Sequence, residues 1–568
     1  MTALSIDGTS LDRTVSDLRQ HAASWTAVPL AERIALLERM LPKVAVGAAD
    51  MATAGSRAKG LAAGSAWAAE DWFSGPWALA QNIQACLHVL RRIDAGKDPV
   101  RASAVHERGG RTYVDVMPAT RWDALLLNGF TAQVWLRPGT TAAQTRAGAG
   151  NRYRGRPGHA GVAVVLGAGN VAAITPLDIL YKLYAEDHVV VAKMNPVNAY
   201  LRPHLERIFE EFVQRNWVRF ADGGAAEGAY LSTHPGVDSI HVTGSDRTYN
   251  AIVWGTGDEA DQRRIADQPL VTKPFSSELG GVSPCIVVPG RWSAADFRYQ
   301  AEHIVTSKMN NSGHNCIASQ VLILPRDWHG TPRLLDEIRS VLRELPPRAD
   351  YYPGSGERLA AVRAAHPEAG SHDHLGRILV PDITDRDDIM VTTEVFASAL
   401  GVVRLPGATT AAFLGHAVDY ANGTLPGTLG ATLIVHPATE KSDRATVGSA
   451  ITGLRYGTLG VNCWSAVGFL LGYTPWGAYP GNTRQDIGSG TGFVHNAFML
   501  EDVEKTVIRA PFAPAPRALL TARPALSPKP PYFVTNRTAR TTAERLVRFT
   551  VAPAVAKLPG VFASALRG

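Results

Sequence analysis

The sequence predicts an α/β fold of two lobes, each built on a mostly parallel sheet with helices on its faces. First, the 568 residues exceed what one hydrophobic core serves, because domains average about 100–200 residues. Second, from residue 161 onward apolar strand candidates alternate with amphipathic helix candidates, which is typical of parallel strands covered on both sides. Third, a second region of the same kind starts near residue 282.

In the first region, short apolar or β-branched runs predict the strands, and apolar residues at helical spacing predict the helices. The strands are predicted at 161–167, 188–193 and 239–244, and the helices at 173–186, at 201–215 and from Asp246. In the second region the strands are predicted in SPCIVV, SQVLILP, ALGVVRL and ATLIVH, and the helices near 333–345 and 408–421.

The flanking segments have a different character. Residues 10–100 are predicted to be mainly helical, 112–117 and 132–137 to form a hairpin, and 138–160 to be a loop. After about residue 505 the chain is rich in Pro and Ala and is predicted to be extended. Its end, 540–568, is basic and apolar, with Glu544 as its one acidic residue.

The composition excludes several classes of protein. The net charge of +6 is mild for this length, and basic residues alternate with acidic ones, so a nucleic-acid-binding face is not expected. Four cysteines without CxxC spacing indicate neither a disulfide framework nor a zinc site, and we expect no metal. A basic and apolar leader and a run of ~20 apolar residues are both missing, so we expect a cytoplasmic protein.

The segment from Gly167 to Ala172, GAGNVA, fits the G-x-G-x-x-A form of the dinucleotide-binding fingerprint and lies between a strand and a helix. That fingerprint also requires an acidic residue at the end of the next strand, where this chain has Lys193. The alternative is a glycine-rich turn that binds nothing.

A second candidate loop contains Thr243, Gly244 and Ser245, after the third predicted strand. A small polar loop that opens a helix offers free N–H groups and a positive dipole end to a phosphate. Ser245 or Asp246 could equally serve only as an N-cap.

Cys316 differs from the other three cysteines in its surroundings. Cys86 and Cys285 lie in apolar helix and strand patterns, and Cys463 lies beside a tryptophan. Cys316 follows a Gly-His-Asn turn and precedes a strand, which can expose a thiol to N–H groups that stabilise a thiolate. A buried structural cysteine is the alternative.

Two glutamates have similar local sequence. Glu278, in SSELGG, is either a solvated turn residue or a general base whose neighbouring glycines let a ligand approach the backbone. Glu394, in TTEVF, has the same two interpretations.

Taken in order, these segments resemble the aldehyde dehydrogenase superfamily from about residue 160 to about residue 495. HVTGS is similar to the phosphate-side loop of that family, ELGG to the segment with the general base, NSGHNC to the segment that ends in the catalytic cysteine, and TEVF to the segment that holds the nicotinamide ribose. The resemblance implies an aldehyde-dehydrogenase-like fold of two Rossmann-like lobes, one cofactor-binding and one catalytic, with an oligomerisation arm.

This resemblance also implies the domains. Residues 1–275 would form the N-terminal helices and the NAD(P)-binding domain, and residues 276–475 the thiol-containing catalytic domain. Residues 476–568 would return to the cofactor lobe and end in the Pro/Ala-rich basic extension. The hairpin at 112–137 would be the arm of a homodimer or homotetramer.

Carried over residue by residue, the resemblance implies oxidation of an aldehyde to a carboxylic acid. Cys316 would attack the carbonyl, the Asn170 amide and the Cys316 N–H would hold the oxyanion, and Glu278 would activate the water that hydrolyses the thioester. The cofactor, NAD or NADP, would be held by Lys193, Gly244, Ser245, Gly280, Glu394 and Phe396.

The sequence departs from the family's pattern in three places. Ala168 and Gly169 stand where the family commonly has Pro-Trp before the Asn, and His314 where Gln is usual. Asn195 lies near where many NAD-preferring members carry a Glu, so NADP stays possible.

Several alternatives stay open. LGAGNV also resembles acyl-CoA reductases, so a CoA-linked reaction is possible. Glu278 argues against it, because a base that activates water would hydrolyse the thioester that such a reaction needs. The others are a dehydrogenase that uses GAGNVA as its phosphate loop, and a cofactor-binding homologue without catalysis. The C-terminal segment is expected to wrap a partner subunit or, less favoured, to lie on an anionic membrane surface. Trp464 and Phe469 line the substrate tunnel or belong to the core.

Overall fold

The computed structural model describes residues 7–62, 64–155, 158–370, 376–520 and 524–568. These residues form two sheets. The strands, in chain order, are β1 (Val105–Arg108), β2 (Arg111–Met117), β3 (Thr131–Leu136), β4 (Gly161–Leu166), β5 (His188–Lys193), β6 (Val218–Ala221), β7 (Ser239–Gly244), β8 (Phe275–Leu279), β9 (Ser283–Val287), β10 (Ser319–Pro325), β11 (Ile378–Val380), β12 (Ala399–Leu405), β13 (Gly430–Ile434), β14 (Thr458–Val461), β15 (Gly490–Thr491) and β16 (Val503–Arg509).

The six-stranded sheet has the order β15-β8-β7-β4-β5-β6. Strands β4 to β8 are parallel, and β15 pairs antiparallel with β8 at the edge. The chain moves outward from β4 through β5 and β6, then returns to the other side of β4 as β7. Ligands bind at such a reversal, outside the carboxyl ends of the strands. The loops after β4 and β7 meet this point, and they carry the GAGNVA segment and Gly244.

The ten-stranded sheet has the order β1-β2-β3-β16-β14-β13-β9-β10-β12-β11. Its strands from β16 to β11 are parallel to their neighbours, whereas β1, β2 and β3 join antiparallel at one side, with β3 paired to β16. Apolar helices and strands fill the layers on both faces of each sheet. The predicted two-lobed α/β fold is therefore confirmed.

The helices cover the faces of the sheets and the two ends of the chain. In chain order they are α1 (Gly8–Thr26), α2 (Leu30–Ala58), α3 (Ala69–Trp72), α4 (Ala78–Asp94), α5 (Arg121–Leu126), α6 (Ala142–Gly148), α7 (Ile174–Tyr184), α8 (Arg202–Ile208), α9 (Glu210–Gln214), α10 (Ala225–Thr233), α11 (Asp246–Val253), α12 (Asp258–Ile265), α13 (Ala294–Met309), α14 (Thr331–Glu344), α15 (Ser355–Ala365), α16 (Pro367–Gly370), α17 (Ile389–Thr392), α18 (Thr410–Gly423), α19 (Pro437–Ser442), α20 (Arg444–Gly453), α21 (Val467–Leu470), α22 (Ala539–Val551) and α23 (Leu558–Ala565).

Two local predictions need correction. The segment 138–160 is not all loop, because Thr141 and Gln144 form a capping box that starts α6. The helix predicted at 201–215 is two helices, α8 and α9, interrupted at Phe209.

The predicted hairpin at 112–137 is also more complex. Strands β2 and β3 do pair antiparallel, but α5 lies between them. The tight hairpin joins β1 to β2 through Gly109 and Gly110, both with positive φ, a conformation that glycine adopts at no steric cost. The arm's role in assembly stays a prediction, as do the domain boundaries.

Part of the C-terminal segment packs within its own chain, while its contact with a partner subunit or with a membrane surface stays a prediction. Ala543 and Val547 of α22 belong to a buried cluster with Trp72, Phe73 and Trp77 from the N-terminal helices. Apolar residues at helical spacing in 543–549 explain this helix, which corrects the prediction that the chain after about residue 505 is extended. Along the residues that the structure describes, none of the helices combines the length and apolar character that a bilayer crossing needs.

Candidate active site

Asn170, Glu278 and Cys316 line one cavity of about 80 Å³. They come from separate elements: the loop after β4, the end of β8 and the loop before β10. Trp464 and Phe469 line the same cavity. The structure thus brings together the three side chains that sequence reasoning proposed for catalysis.

A strained turn positions Cys316 at the end of α13. Asn311 and Ser312 have positive φ of 54° and 55°, and Gly313 follows with 76°. A Cβ on Gly313 would lie 2.3 Å from the carbonyl oxygen of Ala397, so only glycine fits there. Such backbone strain persists where the surroundings enforce it, and here it presents Cys316 to the cavity.

The Cys316 thiol is held in its neutral form. Burial raises its pKa above that of a free cysteine, and the nearby carboxyls of Glu394 and Glu278 raise it further. A thiolate at Cys316 therefore needs a base or a positive charge that enters the cavity with a ligand.

Asn170 ties the loop after β4 to the cysteine loop. Its Nδ2 donates to the carbonyl oxygen of His314 at 3.0 Å, which leaves the amide's second N–H for another acceptor. The Asn311 Nδ2 donates in turn to the carbonyl of Asn170 at 2.9 Å. Gly169 makes room for Asn195 beside it, because a Cβ there would lie 2.6 Å from Asn195 Oδ1.

His314, at the position where the family usually has Gln, supports the same turn. Its ring is fully buried, its Nε2 lies 2.9 Å from Ser355 Oγ, and it packs against Tyr351 and Tyr352. Burial and the surrounding cations lower its pKa to about 3, so it stays neutral. We assign it to packing rather than to proton transfer.

Glu278 lies in a buried ionisable cluster with Asp178, His241 and His495, each at most 4% exposed. The His241 Nε2 lies 3.5 Å from Asp178 Oδ2 and 4.0 Å from Glu278 Oε1, and the His495 Nε2 lies 3.9 Å from Asp178 Oδ1. Burial, and then the charge of Asp178, raise the pKa of Glu278 well above its ordinary range. Burial lowers the pKa of His495 to about 4.

Sequence reasoning missed the partners of Glu278. Asp178 interrupts the apolar run of α7 and His241 the apolar run of β7, and a buried polar residue in such a run was the signal available. Asp178, His241 and Glu278 each offer one ligand atom within 4.8 Å of the others, so they could also hold a divalent cation.

The residues proposed for the cofactor lie along the carboxyl edge of the six-stranded sheet. Lys193 ends β5 and is 8% exposed; burial lowers its pKa, an effect that the Glu227 carboxylate opposes. Gly244 ends β7, and Ser245 is the N-cap of α11, where its side chain accepts from the Thr248 N–H at 3.2 Å. Ser245 thus makes the N-cap contact that was its alternative interpretation.

Glu394 reaches this edge from the other lobe and packs against Gly280. A Cβ on Gly280 would lie 2.0 Å from Glu394 Oε2, so the glycine makes room for the carboxyl. Burial raises the pKa of Glu394 to about 8, with Lys308 acting against that rise. Lys308, a buried residue of α13 that sequence reasoning missed, has its pKa lowered to about 7 by burial.

Phe396 follows Glu394 with a positive φ of 46°. Its ring centroid lies 5.1 Å from Tyr352 and 5.6 Å from His314, so it joins the cofactor edge to the cysteine turn. Its carbonyl accepts from Arg358 at 3.4 Å.

The other three cysteines lie away from this cavity. Cys285 and Cys463 are 1% exposed, and Cys86 is half-buried on α4. Burial raises the pKa of all three thiols.

Comparisons with known proteins match aldehyde dehydrogenases. The model of the aldehyde dehydrogenase family matches residues 128–347, which include Asn170, Lys193, Glu278 and Cys316. The N-succinylglutamate 5-semialdehyde dehydrogenase of Sphingopyxis alaskensis is 30% identical over 200 residues, 34% of this chain and 38% of that relative. The matches to this relative and to two others span 38%, 32% and 56% of the lengths of those relatives. Each match therefore covers less than two thirds of the relative.

Solved structures are similar over most of the chain. Aldehyde dehydrogenase C of Pseudomonas syringae, in complex with NAD+ and octanal, has a TM-score of 0.58 at 17% identity, covering 89% of this chain and 90% of that one. The glyceraldehyde-3-phosphate dehydrogenase GapN of Methanocaldococcus jannaschii, in complex with NADP, has a TM-score of 0.59 at 14% identity, covering 89% and 95%.

The fold and the site define a two-lobed α/β protein with a thiol, a carboxyl and an amide around one cavity between its lobes. Over residues 128–347 the chain is similar to the aldehyde dehydrogenase family, and its fold is that of solved aldehyde dehydrogenases over most of its length.

Proposed function

We propose that this protein oxidises an aldehyde to a carboxylic acid with NAD or NADP, through a thioester on Cys316. One observation carries the proposal: Asn170, Glu278 and Cys316, from three separate elements, line one cavity. A nucleophile, a donor for the oxyanion and a carboxyl for water are what such a reaction needs within reach of one carbon.

The residues at the sheet edge fit a dinucleotide. Glu394 Oε1 is buried and has no hydrogen-bond partner among the described residues, so a ribose hydroxyl could donate to it. Gly280 gives the carboxyl this position, while Lys193, Gly244 and Ser245 would hold the adenosine ribose and the pyrophosphate, and Phe396 the nicotinamide side. When bound, the cofactor supplies the hydride acceptor.

The protein's own residues do the rest. Cys316 gives up its S–H proton to water, and its Sγ forms a bond to the aldehyde carbon. The free N–H of the Asn170 amide and the Cys316 N–H stabilise the oxyanion that forms. Loss of hydride from that carbon leaves a thioester. Glu278 then takes a proton from water, which attacks the thioester and releases the acid and the Cys316 thiol.

A CoA-linked reaction is the second candidate, and one observation favours it. Burial and Asp178 raise the pKa of Glu278 well above its ordinary range, and a protonated carboxyl cannot take a proton from water. In that case CoA would attack the Cys316 thioester instead.

The test is the absorbance of reduced cofactor from a panel of aldehydes with NAD or NADP, with and without CoA. We expect turnover without CoA that Cys316→Ala abolishes and Cys86→Ala preserves, since Cys86 lies outside the cavity. Turnover only with CoA would establish the second candidate. Cofactor binding without turnover of any aldehyde would identify a non-catalytic homologue.

We also propose that the chain forms a homodimer or homotetramer through the arm of β1, β2 and β3. Strand β1 is an edge strand of the ten-stranded sheet, and residues 106–108 are exposed there. Light scattering that gives a monomer would overturn this proposal.

A further inference from the structure

A second, larger cavity adjoins the one that holds Cys316. It measures about 870 Å³ and lies between the N-terminal helices, α5 and the C-terminal segment. Five residues line both cavities: Phe73, Val467, Leu470, Pro531 and Tyr532.

The walls of the large cavity are mostly apolar and aromatic. Trp77 comes from the helical turn before α4, Leu126 from α5, and Leu546 and Phe549 from α22. Trp122 of α5 packs edge-on against Phe549, with ring centroids 5.4 Å apart, which joins two sides of the cavity. Charged residues also line the cavity. Arg91 pairs with Glu38 at exposed positions, and Arg92 donates to the backbone carbonyls of Asp98 and Pro99. Asp123 is held in the capping box of α5, and Lys97 is exposed to solvent.

The C-terminal segment forms part of the wall of both cavities. The Val534 N–H donates to Thr306 Oγ1 at 3.1 Å, and the Phe533 ring stacks on Tyr299 with centroids 5.3 Å apart. Lys529 pairs with Glu302 at 2.9 Å. All three contacts are made to α13, the helix that leads into the Cys316 turn, so this wall is fixed relative to the thiol.

The two volumes indicate what the site accepts. The 80 Å³ beside Cys316 holds a carbonyl and a few further atoms, whereas small-molecule sites usually measure about 300–1,000 Å³. The adjoining 870 Å³ supplies that space. An apolar wall is favourable only for an apolar group, because burial of hydrocarbon provides the binding free energy.

We propose that the two cavities form one substrate passage, walled by the C-terminal segment, and that the substrate is an aldehyde with a long apolar chain. This inference rests on the proposed function and specifies its substrate class. The aldehyde group would lie at Cys316, and the chain would pass Phe73, Leu470 and Tyr532 into the large cavity.

The experiment compares decanal with propanal, using the full chain and cofactor, and measures binding of the unreactive 1-decanol by calorimetry. Each buried methylene strengthens binding about fourfold, so wild type should oxidise decanal with a kcat/KM at least about tenfold above that for propanal. Leu546→Trp and Leu126→Trp fill the large cavity from two different elements. Each should lower kcat/KM for decanal about tenfold, weaken 1-decanol binding and leave propanal unchanged.

Leu526→Trp is the matched control, because Leu526 is 65% exposed and lines neither cavity. Equal kcat/KM for both aldehydes, with no binding of 1-decanol, would overturn the inference while the proposed function stands. Binding of 1-decanol that Leu546→Trp weakens, without turnover of any aldehyde, would overturn the proposed function and leave the cavity as an apolar binding site. Because Leu546→Trp and Leu126→Trp lie on different helices, one variant still tests the inference if the other fails to fold.

Discussion

Glu278 and Glu394 each follow two hydroxyl-bearing residues and precede an aliphatic one, yet the structure gives them neighbours of opposite charge type. Both are carboxyls beside the Cys316 cavity, and burial raises the pKa of each. Glu278 lies near the carboxyl of Asp178, which raises its pKa further, whereas Glu394 lies near the amine of Lys308, which acts against the rise of its pKa to about 8.

Burial alone would raise the pKa of both carboxyls in the same way. The neighbouring side chain of each therefore makes their pKa values differ. Glu394 loses its proton as the pH rises through about 8, and its carboxyl oxygens can accept hydrogen bonds from a cofactor. Burial and Asp178 together raise the pKa of Glu278, so this carboxyl acts as a base only after water or a ligand in the cavity changes its surroundings.

The largest effect is expected from removing the charge of each carboxyl in turn. Glu278→Gln should still form the acyl-enzyme in one burst but lower steady-state turnover about 10²–10⁴-fold, because no base activates water. Glu394→Gln should mainly raise the KM for the cofactor, about tenfold, and keep hydrolysis. Rapid-mixing absorbance and the mass of the trapped acyl-enzyme measure both results. Hydrolysis of the acyl-enzyme at the wild-type rate by Glu278→Gln would show that Glu278 is not the base that activates water.

An intermediate effect is expected from changing the neighbour of Glu278 rather than Glu278 itself. Asp178→Asn removes a like charge, so it should lower the pKa of Glu278 and move the rising limb of the hydrolysis rate to lower pH by about one unit. The matched control is Asp246→Asn, because Asp246 raises the pKa of Glu394 instead. That variant should leave the limb in place. The pH profile of single-turnover hydrolysis, measured for both variants, tests this expectation. The same shift in Asp178→Asn and Asp246→Asn would contradict the role of Asp178 in raising the pKa of Glu278.

Buried strands with continuous apolar runs could be predicted from the sequence. Short helices that depend on a capping box, and side chains that meet only through distant contacts, could not. Strands β4 and β5 are apolar runs and were found, whereas α6 was missed because its capping box lies in a stretch rich in Gly, Arg and Thr. The motif order placed Glu278 and Cys316 correctly in one cavity.

The neighbours that set the proton affinities could not be predicted. Asp178 lies in α7, His241 in β7 and Lys308 in α13, far from the motifs in sequence, and only folding brings them to the two carboxyls. The wall that Tyr532 adds was missed for the same reason, since nothing local indicates which surface the C-terminal segment contacts.

The smallest effect is expected on stability, and it comes from Glu394 and Lys308 together. In the folded protein the carboxyl titrates at about 8 and the amine at about 7, against ordinary values of 4.5 and 10.5. Between pH 4.5 and 7 the folded pair binds two protons and the unfolded pair one, so stability falls as pH rises. Between pH 8 and 10.5 the folded pair binds none and the unfolded pair one, so stability rises.

This pair should therefore contribute a minimum in stability between pH 7 and 8. The double variant Glu394→Gln with Lys308→Met removes both titrations and should gain about 1–3 kcal/mol over wild type at that minimum, with a smaller gain on either side. Denaturant unfolding at pH 5.5, 7.5 and 9.5 measures it. The double variant Glu344→Gln with Arg298→Met is the control, because that pair is at the surface and should show no such minimum. A gain that is equal at all three pH values would mean that the Glu394 carboxyl and the Lys308 amine keep ordinary pKa values, and the contrast with Glu278 would then rest on Asp178 alone.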